Sequence, residues 1–109
     1  MFGKKRIATS WVKLEQDQRS ASVHLFGNLN RTVDRELREL FKDLIKRYSN
    51  KTVIVDLSQI YFIDTTIAAT FAEVARRAQR RNVRLLLVDA SMPVRKVFSA
   101  LGIEGLLAS

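Results

Sequence analysis

Thr52-Val53-Ile54-Val55-Asp56-Leu57-Ser58-Gln59-Ile60-Tyr61-Phe62-Ile63-Asp64-Thr65-Thr66 is the stretch that decides how this chain is read. Its first six residues form a short, nearly continuous apolar run, the pattern of a strand covered on both faces. A turn follows, and the apolar triplet Tyr61-Phe62-Ile63 then delivers Asp64 to the start of a helix. With Asp64 as N-cap, Thr65 is the first helical residue and Thr66 the second. The first amides of a helix lack carbonyl partners and the peptide dipoles add there, so negative charge is favoured. A hydroxyl at such a place suits phosphorylation, which adds nearly two negative charges at about neutral pH.

The flanking sequence builds a domain around this turn. Residues 11–16 alternate apolar and polar side chains, as a half-buried strand does. A polar turn from Asp17 leads to a second strand over Ser22–Leu29, making a hairpin closed by Gly27-Asn28. Thr32 is the expected cap of the next helix, with Asp34 and Glu36 in its first turn. Val33, Leu37, Leu40, Phe41, Leu44, Ile45 and Tyr48 then fall on one stripe. After the Asp64 helix, whose expected buried face is Ile67, Phe71, Val74, Ala75 and Ala78, Arg80-Arg81-Asn82 supplies cations and a left-handed stop. Val83–Val88 reads as another buried strand. Ser91 and Pro93 open a third helix that Gly102 ends. The order is ββαβαβα: an α/β single domain over residues 10–107, its mixed sheet parallel at the centre and packed with amphipathic helices. Residues 1–9 are expected to be a basic, flexible N-terminal tail.

Composition removes most catalytic chemistry. The chain has 109 residues, no cysteine and one histidine, which excludes disulfides, thiolate sites and cysteine nucleophiles. Gly3, Gly27, Gly102 and Gly105 are not spaced as a phosphate-binding loop, and no metal-ligand motif is present. His24 reads as a surface strand residue, and Asp56 as a structural acid at a strand end. No catalytic residue, cofactor or metal is expected. No apolar run reaches the ~18 residues of a membrane span, and no secretory leader follows Lys4-Lys5-Arg6, so a cytoplasmic, non-enzymatic protein is expected. The net charge of +8 is spread along the chain, and the arginines lack aromatic stacking partners. Solvated helix faces are the first explanation and an acidic protein partner the next; direct nucleic-acid binding is not expected.

Val55-Asp56-Leu57-Ser58-Gln59-Ile60-Tyr61-Phe62-Ile63-Asp64-Thr65-Thr66 resembles the signature of STAS domains, the family of bacterial anti-sigma factor antagonists. That signature runs from an apolar strand through Asp-Leu-Ser to an apolar pair, then an acid and two hydroxyl residues before a helix. Gly27-Asn28-Leu29 is similar to the family's corner before its first helix. Val83–Val88 matches the last core strand, and Val94–Gly102 the closing helix. The chain departs from the pattern at Thr66, where serine is usual, and at Ile67-Ala68, where glycine usually follows the phosphoacceptor.

The resemblance implies Thr66 as phosphoacceptor, supported by Asp64 and Thr65. It implies a partner-binding face at Asn28, Asp64, Thr65, Thr66, Ile67 and Ala68. The implied partners are an anti-sigma factor acting as serine/threonine protein kinase, which the unphosphorylated protein binds, and a PP2C-type phosphatase. Two other roles in the same family stay open: a scaffold subunit of a stress-signalling complex, suggested by Ile67-Ala68, and the STAS subunit of a lipid-transport ABC ATPase.

Overall fold

Alternation governs how the sheet is built. The computed structural model describes residues 5–8 and 10–108. Strand β2 (Val12–Gln16) buries every second residue, and β3 (Ser20–Leu29) does the same through Leu25. Helix α1 (Asp34–Arg47), strand β4 (Thr52–Ile63), helix α2 (Thr65–Arg80), strand β5 (Arg84–Val88) and helix α3 (Met92–Ala100) follow in the expected order. A further strand, β1 (Lys5–Ala8), precedes them and pairs antiparallel with β2. Over those four residues a short edge strand thus stands where the sequence suggested a tail; residues 1–4 and 9 lie outside the described residues. The spatial order is β1-β2-β3-β4-β5, with β2–β3 antiparallel and β3–β4 and β4–β5 parallel. The mixed sheet with a parallel centre is as expected.

The helices share one face of the sheet. Phe41 from α1, Phe71 from α2 and Phe98 from α3 meet in a row, with ring centroids 5.8 and 6.1 Å apart, and all three are fully buried. Around them close Val23, Leu25, Val53, Val55 and Leu57 of the sheet. Strand β4 is therefore not covered on both sides as its apolar run suggested. Thr52, Ile54 and Asp56 are half-buried, in strict alternation with the core residues. Strand β5 is likewise only partly buried, with Leu87 its one fully enclosed residue. Leu107 forms a parallel bridge to Leu87 at that edge.

Two bulges shape the end of β4. Between His24 and Leu29 of β3 there are five steps, matched by seven from Asp56 to Ile63, so β4 carries two extra residues. The turn expected after Leu57 is therefore strand, bent by bulges. Gly27 takes φ +82° beside the irregularity, a conformation that favours glycine, and the ring of Tyr61 lies over its open backbone.

Helix ends follow local chemistry with one exception. Asn82 takes φ +55° after α2 and Gly102 φ +71° after α3, as expected of stop residues. The start of α1 differs. A 3₁₀ turn over Arg31–Val33 precedes it, capped by Asn30, whose Oδ1 accepts from the Thr32 amide (2.9 Å) and hydroxyl (2.6 Å). Thr32 is a donor to the cap and not the cap. Asn30 wins because its amide oxygen reaches two donors at once.

Candidate functional site

Helix α2 starts as its sequence demands. Asp64 is in extended conformation and its Oδ1 accepts the Ile67 amide at 3.0 Å. Its second oxygen accepts the Arg31 amide at 2.9 Å, at the entrance to the turn before α1. One carboxylate thus satisfies donors from two helix entrances, and the Asp64 amide donates to Leu29 O at 3.2 Å. Asn28 stands exposed nearby and accepts from the side chain of Asn30 at 3.2 Å.

Contacts along the two helices advance together: Asp34 accepts from Thr70, Arg38 Nη1 reaches Glu73 at 2.7 Å, and Lys42 shares a groove with Arg77. Helices α1 and α2 therefore run parallel, and their N-termini share one pole. The dipole argument applied to α2 holds for both, which strengthens the preference for an anion at this end. The Arg38 bridge holds the Glu73 carboxyl below, and its own guanidinium above, their ordinary pKa values through hydrogen bonding.

The structure brings together Asn28, Asp64, Thr65 and Thr66, with both threonines exposed. It removes Ile67 and Ala68 from that surface, because both side chains are fully buried in the core. Three residues past the cap, a helix on a sheet turns inward, and Ile67 occupies that position. The sequence reading also missed two surface residues. Tyr61 and Phe62 are 71% and 46% exposed, while Ile63 alone of the triplet is buried. The bulges swing the two rings outward, and no periodicity in the sequence announces them. Ser91 fixes α3 against the same end of β4, its hydroxyl donating to Ile60 O at 2.6 Å and its amide to Leu57 O at 3.2 Å. Met92, next in the chain, is 63% exposed. The pole thus combines two exposed hydroxyls, an acid and the exposed apolar side chains of Tyr61, Phe62 and Met92.

His24 and Asp56, 32 residues apart, are cross-strand neighbours with Nδ1 and Oδ2 at 3.2 Å. Partial burial pushes the Asp56 carboxyl up. The Ser58 amide and hydroxyl and the His24 ring outweigh it and leave the group below its usual range. This pair lies on the half-open face of the sheet, as structural acid and strand histidine. Among the described residues no group of acids and histidines could hold a metal ion, and no helix is long and apolar enough to cross a membrane.

Removing the cap has a predictable effect. Asp64→Ala deletes an acceptor for Ile67 and for Arg31, and an N-cap loss alone costs about 1 kcal/mol. Urea denaturation should show a loss of about 1–2 kcal/mol, with Asp64→Asn recovering at least half because asparagine keeps the acceptor. Equal stability of all three forms would remove Asp64 from its capping role.

A five-stranded mixed sheet with three helices on one face and an acid-capped, hydroxyl-bearing helix start defines a class of small α/β domains. Residues 12–108 match the family described as Mlab, STAS domain, and the chain belongs to the STAS domain family. Its fold is shared by the anti-sigma factor antagonist SpoIIAA in its unphosphorylated form, at 20% identity and TM-score 0.72, covering 99% of this chain and 86% of that one. The phosphorylated form of the Bacillus cell fate determinant SpoIIAA gives 19% identity and TM-score 0.68, covering 99% and 89%. A STAS domain protein from Planctomyces limnophilus gives 13% identity and TM-score 0.75, covering 88% and 86%. No curated protein sequence matches the chain.

Proposed function

We propose that this chain is a non-enzymatic phospho-switch, an anti-sigma factor antagonist of the bacterial cytoplasm. In this reading the unphosphorylated form binds an anti-sigma factor that is also a serine/threonine kinase. Phosphorylation of Thr66 releases it, and a PP2C-type phosphatase restores binding. The observation that carries the reading is the exposed Thr66 in the first turn of α2, next to the Asp64 cap and at the shared N-terminal pole of two parallel helices. A phosphate there gains the helix-dipole interaction without refolding. Tyr61 and Phe62 supply apolar area for the partner beside it. The match to SpoIIAA, solved in both phosphorylation states, supports the same assignment.

Incubation with the cognate kinase and labelled ATP tests it. Wild type and Thr65→Ala should be labelled and Thr66→Ala should not; equal labelling of Thr66→Ala and wild type sinks the assignment.

A second reading uses the same surface. In the STAS subunit of a lipid-transport ABC ATPase, Thr66 contacts the ATPase and is not modified. Its support is the family description, which names Mlab and not an antagonist of sigma regulation. Stable co-purification with a membrane ATPase, with residues 61–76 unmodified by mass spectrometry, would select it over the switch.

A further inference from the structure

The opposite pole of the molecule carries an unexplained charge. Lys42 and Lys46 on α1 face Arg77 and Arg80 on α2, and Arg81 just after it, across a groove of about 260 Å³, with buried Ile45 between them and no acidic residue in its lining. All five cations are exposed. Arg77 lies 3.6 Å from Glu73, whereas Lys42, Lys46, Arg80 and Arg81 have no ion pair among the described residues.

Stabilising the helix ends does not need so many charges. A helix C-terminus is worth roughly half a negative charge, so the two parallel helices present about one. Glu73 accounts for part of Arg77, and about three positive charges remain without a structural counterpart. Mutual repulsion of cations crowded on facing helices is unfavourable, as like charges at one helix turn already show.

The groove is not purely polar. It continues towards the helix N-termini into a second hollow of about 130 Å³, where Thr70 and Val74 form part of the wall and Lys42 and Arg77 are shared. Beyond Lys42 and Arg77, that end has both signs of charge, through Arg38, Glu39 and Glu73. A ligand lying along the groove therefore meets apolar and mixed-charge surface first and a cationic end last.

We infer that this α1/α2 groove is a second docking surface, for an acidic amphipathic segment of a partner protein. Charge complementarity selects an acidic occupant, and the concave shape with Ile45 and Val74 along it fits a helix laid in a groove. A flat lipid surface would not enter the groove, and the exposed large apolar side chains Tyr61, Phe62, Met92 and Leu101 are not in its lining. No aromatic side chain lines it for base stacking, which disfavours single-stranded nucleic acid. The cationic end of the groove, at Arg80, lies at the far end of α2 from Thr66, about 20 Å away at 1.5 Å rise per residue.

Fluorescence anisotropy of the full chain with a labelled peptide of about 14 residues, leucines at helical spacing and glutamates elsewhere, tests the inference. The glutamate peptide should bind and its glutamine counterpart should not. Lys46→Glu with Arg80→Glu should weaken binding about tenfold or more, and Thr66→Ala should leave it unchanged. Lys42→Glu with Arg81→Glu serves as a second pair, carrying the test if circular dichroism shows the first unfolded. Equal binding of the two peptides, or no effect of a folded charge-reversed pair, overturns the inference. So does binding to phosphatidylglycerol vesicles or a short DNA duplex without binding to the acidic peptide.

Discussion

Phosphorylated on Thr66, the protein should bind the proposed anti-sigma factor partner at least a hundredfold more weakly than when unmodified, while the two forms unfold at the same denaturant concentration within error. The two halves of this result have separate physical causes. Thr66 is exposed in the first turn of α2, so a phosphate displaces nothing in the core. Its interaction with the helix start contributes about 0.3–1 kcal/mol, and repulsion from Asp64 offsets part of that. The folded state is therefore nearly indifferent. The interface is not. Burying an unpaired charge against a partner costs several kcal/mol, and about 2.7 kcal/mol already corresponds to a hundredfold change in affinity. Thr66→Asp adds one charge where phosphate adds nearly two, so it should weaken binding by a smaller factor, on the order of tenfold. Isothermal titration with the purified partner, beside urea denaturation of each form, reads both halves. A loss of binding that tracks a loss of stability would make Thr66 a structural residue and not a switch.

Why this site could be located from sequence, and its surroundings could not, follows from the range of the forces involved. The cap that Asp64 makes on the Ile67 amide, and with it the places of Thr65 and Thr66, is a contact within one helical turn, which side-chain type decides; only its bonds to Arg31 and Leu29 reach further. The same holds for Asn82 and Gly102, whose backbone conformations depend on little beyond themselves. Exposure of Tyr61 and Phe62 depends on two bulges against β3, a register between strands more than thirty residues apart. Alternation predicts which face a side chain takes only while the register holds, and each bulge resets it. The His24–Asp56 pair was invisible for the same reason. The resemblance sets Ile67 and Ala68 on the partner face because it identifies positions in a motif, whereas burial depends on which side of α2 meets the sheet, the side to which the apolar stripe already assigns Ile67. Their helical phase, in line with Phe71 and Val74, already pointed inward. Thr32 is not a cap, because a 3₁₀ turn capped by Asn30 stands before α1, whose own first turn has no side-chain cap, and such a turn has no hydropathy signature.

Phe71→Ala should cost about 3–5 kcal/mol of stability, the range for emptying a buried phenylalanine site. Phe71 is fully buried between Phe41, at an interplanar angle of 65°, and Phe98, at 48°. Each such ring pair adds about 0.5–1.5 kcal/mol beyond area burial, so the upper part of the range is expected. Because the ring links all three helices, the cavity cannot be closed by shifting one helix without opening a contact to another. A domain of this size has a total stability of about 5–15 kcal/mol, so the substitution removes from about a fifth to nearly all of it. Phe71→Leu keeps most of the volume and should lose less than half as much. Phe71 lies one turn beyond Thr66 on the inner side of α2, and its packing holds the outer side in place. Partner binding by Phe71→Ala should therefore fall only in proportion to its unfolded fraction, and should recover fully at temperatures where the variant is folded. A loss below about 1 kcal/mol would mean that the three helices do not meet at Phe71. A binding defect that persisted in the folded variant would mean that Thr66 is positioned by something other than the packing of α2 on this aromatic row.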